Sequence, residues 1–368
     1  MTQRPLLKRL AVRLLTTEPV IALTSRSTGW ATLFMLHRFR TDELGNLGHD
    51  PAELRRMLAW LRRHRYEVLD LETLVQRLGG EGPPLHRAVG FTLDDGYFEQ
   101  AEIASPLFAE FDVPVTTFLT TGFLDGQIWL WWDQVEFILT QTSHPRLLAS
   151  VGDHQIALDL STPASRSSGQ QTFIELCKSV PEAEKQASIA RLAALAEVEV
   201  PRDPPVGYCP MTWDQARQME RRGMRFGAQT VTHPILSRTD DEQSDHELRH
   251  SWRRCVEELE RPVPVFCYPN GQPEDFGLRE IAVLEDLGFL GAVTGSAGYA
   301  DAKALTPPHD RFRLPRFPYS DSLRINIQFA SGVERFKQRI RRLVGGVWRR
   351  APEPLAPAAD RKVECPSP

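Results

Sequence analysis

Short apolar runs alternate with one-faced amphipathic stretches along most of this chain. ATLFML (31–36), AVGFTL (88–93), VPVTTFLT (113–120) and VPVFCYP (263–269) have the length and β-branched content of buried strands. YEVL (66–69), MRFGA (224–228) and FLGAVT (289–294) read the same way. Between them lie helical patterns. Leu54, Met57, Leu58 and Leu61 share one face behind Asp50-Pro51, an N-cap followed by proline at the first helical position. Further helices are predicted from about Asp70 and over roughly 98–110. Thr212 and Gln215 form a capping box that opens a helix to about Arg222. Segments 242–260 and 274–287 complete the series. Repeated βα units predict an α/β fold with a mostly parallel sheet and helical crossovers.

Residues 140–210 break this rhythm. A Ser-rich loop (161–169) and helices near 171–180 and 182–196 read as an insertion between two parts of one barrel-like domain over 30–320. The ends differ again. Residues 1–40 carry seven Lys or Arg and one acid, Glu18, and 1–29 form a basic N-terminal segment. Within 321–350, residues 335–350 hold seven basic side chains and no acid. There Phe336, Ile340, Leu343 and Val347 recur at helical spacing, a basic amphipathic helix. Such a helix either docks on its own domain or makes peripheral contact with an anionic membrane. The tail over 351–368 is Pro/Ala-rich and expected to be disordered.

Composition removes several classes. The 368 residues include 44 basic and 48 acidic side chains, a net charge of −4, so no basic footprint for nucleic acid exists. No apolar run approaches the roughly 18 residues needed to span a bilayer. Five scattered cysteines form no C-x-x-C pair, which argues against a disulfide framework and a zinc-thiolate site. The N-terminal stretch lacks a clean apolar core with a small-residue cleavage site. A cytoplasmic protein is expected, membrane-associated if the basic helix docks on lipid.

Four polar segments stand where strands end: FTLDDGY (91–97), FGAQTVTHPIL (226–236), CYPNG (267–271) and LPRFPY (314–319). In parallel α/β barrels, catalytic groups sit in loops at the carboxyl ends of strands. Of two adjacent carboxylates there, one can bind a divalent cation while the other takes a proton from water. An imidazole is a natural second ligand. Taken singly, Asp-Asp-Gly is ordinary turn chemistry. Trp129, Trp131 and Trp132 in IWLWWD could line a sugar site, although large aromatics are mostly core. His246 and His250, four apart on a charged helix, read as a solvated face.

In combination the segments resemble the polysaccharide deacetylases of the NodB-homology type, carbohydrate esterase family four. FTLDDGY is similar to the T-F-D-D-G motif of that family, and QTVTHP to its H-T-x-x-H-P metal motif. CYPNG is similar to its R-x-P-Y-G or A-Y-P-Y-G motif. MLHRF (35–39) and LPRF resemble two segments of one clade. The resemblance implies a distorted (β/α) barrel with a helical insertion and a divalent, zinc-like metal. It implies a hydrolase that removes N-acetyl groups from an amino-sugar polysaccharide or oligosaccharide by metal-assisted water attack. By position, Asp94 matches the general base, Asp95 a metal ligand and His233 the second metal histidine. A backbone N–H at Asn270, where the family has tyrosine, would hold the oxyanion. Tyr268, His37 and Trp132 are candidates to touch substrate.

Three positions depart from the pattern. Gln229 stands where the first metal histidine is expected, and is read as a weaker oxygen ligand. Cys267 stands where many members carry an arginine that steers the aspartate, with Arg316 as candidate substitute. No L-x-H segment for a catalytic acid is evident, and His37 and His309 are stand-ins. These departures keep open a second reading: a catalytically impaired carbohydrate-binding or scaffold protein on the same barrel.

Overall fold

The computed structural model describes residues 14–41, 48–304 and 308–337; the side chains of 304–309 lie outside that description. Most of the predicted C-terminal basic helix, the tail over 351–368 and the first 13 residues fall outside the described residues.

The strands are β1 (Trp30–Leu36), β2 (Glu67–Val68), β3 (Ala88–Leu93), β4 (Thr116–Leu119), β5 (Arg146–Val151), β6 (His154–Asp159), β7 (Arg225–Ala228), β8 (Val265–Cys267), β9 (Gly291–Val293), β10 (Ala300–Asp301) and β11 (Phe317–Pro318). A parallel path runs β1-β3-β4-β7, with β2 beside the start of β3 and β11 parallel to β1. β8 and β9 form a separate parallel pair. Two short links close the ring. Val263 N–H donates to Phe226 O at 2.6 Å, joining the β8 side to β7, and Val293 bridges Leu314 in the chain leading to β11. Gly227 sits at the first seam: a Cβ there would lie 2.8 Å from the Val265 carbonyl oxygen. The result is a distorted (β/α) barrel, as the motifs implied.

Burial explains why the strands are legible. Every residue of β3, β4, β8 and β9 is buried, as in a parallel sheet covered on both faces. The helix Pro51–Arg63 puts Leu54, Met57, Leu58 and Leu61 into the core, and its N-cap Asp50 accepts from Ala52 N–H at 2.8 Å. Thr212 and Gln215 form the capping box of Trp213–Arg221.

The insertion differs from its reading. β5 and β6 form an antiparallel hairpin that the sequence did not suggest, because its outer face is polar and its strands sit beside no crossover helix pattern. The supposed Ser-rich loop is the first half of helix Pro163–Lys178, started by a Thr162/Ser165 capping box and Pro163. Together with helices Trp131–Gln141 and Glu182–Leu195 the hairpin encloses its own core, including Trp131, Ile138, Leu147, Phe173 and Leu192. The predicted helix over 98–110 begins as a π-helical turn, Gln100–Ala104, before Ser105–Glu110. That widened turn lies directly after the Asp-Asp-Gly motif, where π-bulges often serve a site.

Candidate active site

The four polar segments converge at one end of the barrel, three of them just past the carboxyl ends of strands. Asp94 follows β3, Gln229 follows β7, Asn270 lies just past β8, and Arg316 directly precedes β11. They line one cavity of about 530 Å³ with His37, Asp95, Trp132, His233 and Tyr268.

Local backbone conformation aims these side chains. Asp95, Thr230, His233 and Asn270 all take positive φ, at 83°, 65°, 59° and 58°. Non-glycine residues rarely adopt that region, and such strain concentrates at functional sites. Gly96 continues the turn at φ 92°, where a Cβ would lie 2.8 Å from Leu124 Cδ1. Gln100 clamps two strand ends: its Nε2 donates to the Asp94 carbonyl at 2.6 Å and to that of His37 at 2.7 Å. Glu247, from the helix Asp241–Glu258, holds the histidine loop. Its carboxylate accepts from Val231 N–H at 2.6 Å and Thr232 N–H at 2.9 Å.

Asp94 is buried and gripped side-on by Arg316. Nη1 lies 2.6 Å from Oδ1 and Nη2 2.9 Å from Oδ2. Arg316 is itself fixed through Nε to the Thr294 carbonyl and through Nη1 to Thr92 Oγ1. Burial opposes its charge, but Asp94 outweighs burial and holds the guanidinium above its ordinary range. The Cys267 thiol packs beside this pair, 3.3 Å from Arg316 Nη2, and burial pushes it well up, so it stays a thiol. His37 is the solvent-facing neighbour, with Nε2 3.7 Å from Asp94 Oδ2 and a side chain 43% exposed.

Asp95, Gln229 and His233 form the second cluster. Asp95 Oδ1 and His233 Nε2 lie 3.5 Å apart. Two tetrahedral ligands of one zinc-like ion stand about 3.3 Å apart, so the spacing would suit a shared cation. The third member does not suit one. Gln229 was expected to offer an oxygen. Instead its Oε1 accepts the Asp95 backbone N–H at 2.9 Å, and its Nε2 faces Asp95 Oδ1 at 3.1 Å and His233 Nε2 at 3.0 Å. An amide NH₂ has donors and no free lone pair for a metal. Among the described residues no group of three His, Cys, Asp or Glu could hold a metal ion. The donor set as arranged does not fit a divalent cation.

Other expectations divide. The Asn270 backbone N–H carries no hydrogen bond among the described residues and lines the cavity, while its side chain is tied to Asp275. Tyr268 reaches the cavity wall but is only 2% exposed and stacks on Phe276 at 3.7 Å, so it offers a ligand little surface. Trp129 and Trp131 are buried, whereas Trp132 lies half-buried against the cavity with its ring 4.6 Å from the His233 ring, edge to face. His246 and His250 stack on each other, and His250 meets Arg253, away from the site. The side chain of His309 lies outside the described residues.

A buried network behind Trp132 was not foreseen. Trp132 Nε1 donates to the Tyr97 hydroxyl at 3.0 Å, which donates to Asp133 Oδ2 at 2.8 Å. Arg38 stacks on Tyr97, 4.1 Å from the ring centroid, and pairs with Glu99 at 2.6 Å. Burial pushes Asp133 up to about 8 despite Arg38. Tyr97 stands in the Asp-Asp-Gly segment and Asp133 beside the tryptophans; only the fold brings them together.

With this geometry in view, similarity to known proteins takes on meaning. Residues 185–290 match the polysaccharide deacetylase family model, and that stretch contains both Gln229 and His233. Over that stretch the chain is similar to the polysaccharide deacetylases. Among solved structures it is similar to the Streptococcus pyogenes deacetylase PplD, solved with acetate. The TM-score is 0.53 at 15% identity, covering 84% of this chain and 98% of that one. It is also similar to IcaB from Ammonifex degensii, with a TM-score of 0.51 at 14% identity over 82% of this chain and 97% of that one. At such identities the likeness concerns the fold. No curated protein matches the sequence significantly. Metal dependence is general among these deacetylases, which makes the Gln229 arrangement a departure.

Proposed function

We propose that this chain removes N-acetyl groups from an amino-sugar polysaccharide or oligosaccharide. The observation that carries the reading is Asp94, buried and held by both oxygens on Arg316 at the wall of a cavity of about 530 Å³. Arg316 fixes the plane of the carboxylate by two charge-assisted hydrogen bonds, so it is presented as a general base. Asp94 takes a proton from water as the oxygen adds to the acetyl carbonyl carbon. The charge on the carbonyl oxygen is met by the Asn270 backbone N–H, a donor that needs no particular side chain. The C–N bond then breaks as the leaving nitrogen takes a proton from His37, the exposed imidazole beside Asp94. Acetate and a free amine result. Trp132, half-buried in the cavity wall, suits the apolar part of a sugar.

The test is acetate release from N-acetylglucosamine oligomers by the full chain. Wild type should release acetate, and Asp94→Asn, assayed below its own melting temperature, should release none. Unchanged release in the variant would remove Asp94 as base.

One observation favours the second reading, a carbohydrate-binding protein without turnover. The Gln229 amide, Asp95 Oδ1 and His233 Nε2 are engaged with one another rather than offered to a reacting group. Oligomer binding by wild type with no acetate release would establish it.

A further inference from the structure

We infer that the Gln229 carboxamide occupies the position a divalent cation would take between Asp95 and His233, and that this chain keeps the pair together by hydrogen bonds without a metal. The inference stands whether or not the chain turns over substrate.

The orientation of the amide is fixed by its surroundings. If the two ends of the group were exchanged, the NH₂ would face the Asp95 backbone N–H, donor against donor. The Asp95 N–H therefore claims Oε1, at 2.9 Å, and Nε2 must face the other way. There its two hydrogens find two acceptors, Asp95 Oδ1 at 3.1 Å and His233 Nε2 at 3.0 Å. Every donor of the amide is satisfied. With the amide hydrogen directed at it, His233 Nε2 is the accepting ring nitrogen, which leaves Nδ1 as the protonated one. Both atoms that would bind a cation are thus occupied by one nitrogen, which holds them 3.5 Å apart.

Nor can the group easily step aside. Gln229 is 2% exposed and His233 8%. The Gln229 backbone N–H is tied to the Leu119 carbonyl at 3.0 Å, and its own carbonyl accepts from Thr230 Oγ1. Thr230 Oγ1 in turn accepts from the His233 N–H at 3.1 Å. Glu247 anchors the intervening residues through Val231 and Thr232. Trp132 packs on His233 from the insertion side. An entering cation would have to break both Nε2 hydrogen bonds. Turning Oε1 inward as a ligand would weaken its bond to the buried Asp95 N–H, which has no other partner among the described residues.

The test is zinc binding by the full chain after dialysis against chelator, read by competition with a chromophoric chelator. Wild type should take up no zinc that Asp95→Asn removes. Gln229→His should gain one equivalent, bound at least about 100-fold more tightly, because imidazole supplies the lone pair that the amide nitrogen lacks. Cobalt substitution should give tetrahedral absorption bands in Gln229→His alone. Stoichiometric zinc in wild type that is lost in Asp95→Asn would overturn the inference, as would a Gln229→His variant that binds no better than wild type. If Gln229→His does not fold, Gln229→Glu replaces the donors by a carboxylate of the same length. Zinc should raise its melting temperature and leave that of wild type unchanged, and an unresponsive Gln229→Glu would also overturn the inference.

Discussion

Arg316 and Asp94, 222 positions apart in the chain, meet as a bidentate pair with contacts of 2.6 and 2.9 Å, both side chains almost wholly buried. The rigid guanidinium fork matches the carboxylate plane, which lysine cannot reproduce. Because the pair is enclosed, its members cannot be removed one at a time without leaving a charge unpaired. Arg316→Ala should destabilise the fold by about 3–5 kcal/mol. In an Asp94→Asn background the same change should cost clearly less, since no carboxylate is then stranded. Chemical denaturation of the four proteins in that cycle measures the coupling, and simple additivity would mean that the two side chains do not depend on each other.

Glu247 shows how much of the site hangs on a residue that touches no substrate. Its carboxylate accepts two backbone N–H groups of the histidine loop and the Thr232 hydroxyl. Glu247→Ala should cost roughly 1–3 kcal/mol for each buried donor left without a partner. Glu247→Gln, which keeps one acceptor oxygen, should recover part of that. Equal melting temperatures for wild type and Glu247→Ala would show that the loop is held by other means.

Asp133 gives the protein a dependence on pH. Its ordinary value is 3.8 and burial pushes it up to about 8, with Arg38, Tyr97, Glu136 and Asp95 as its charged or titratable surroundings. Between these values the folded protein keeps a proton that the unfolded chain has lost. The contribution is therefore complete below about pH 4 and falls as pH rises toward 8, by on the order of 1.4 kcal/mol per unit. Asp133→Asn, which cannot ionise, should flatten that slope and be the more stable protein near pH 8. Parallel melting curves of the two proteins across pH 5–8 would contradict the assignment.

Trp132 joins the barrel to the insertion, through its N–H on Tyr97 and its ring against His233. Trp132→Ala should raise KM for oligosaccharides several-fold more than it lowers kcat, because it removes a wall of the cavity and leaves Asp94 and Arg316 in place. Trp132→Phe should restore part of the affinity through its ring. A change confined to kcat would place Trp132 in the chemistry instead.

If both the deacetylase reading and the amide-for-cation inference hold, acetate release should be unaffected by millimolar EDTA. A loss of activity that zinc restores would mean that a cation takes part, and direct zinc binding would then tell whether it sits at Asp95 and His233.

What the sequence by itself determined is local or periodic. The buried strands, the Asp50 and Thr212 helix starts, the Asp-Asp-Gly turn and the family resemblance all rest on neighbours within a few positions, where side-chain spacing and backbone preference act directly. Arg316 could be proposed as the partner of Asp94 because guanidinium chemistry suits a carboxylate. Its two-pronged contact needed the closed barrel. The Ser-rich stretch was misread because a capping box and a proline can start a helix that composition alone marks as loop. Gln229 was misread for a deeper reason. An amide carries an acceptor and a donor end, and residue type cannot say which end faces the site. The tertiary structure decides it through one buried N–H, that of Asp95, brought there from 134 positions away, which takes the oxygen and turns the nitrogen toward His233.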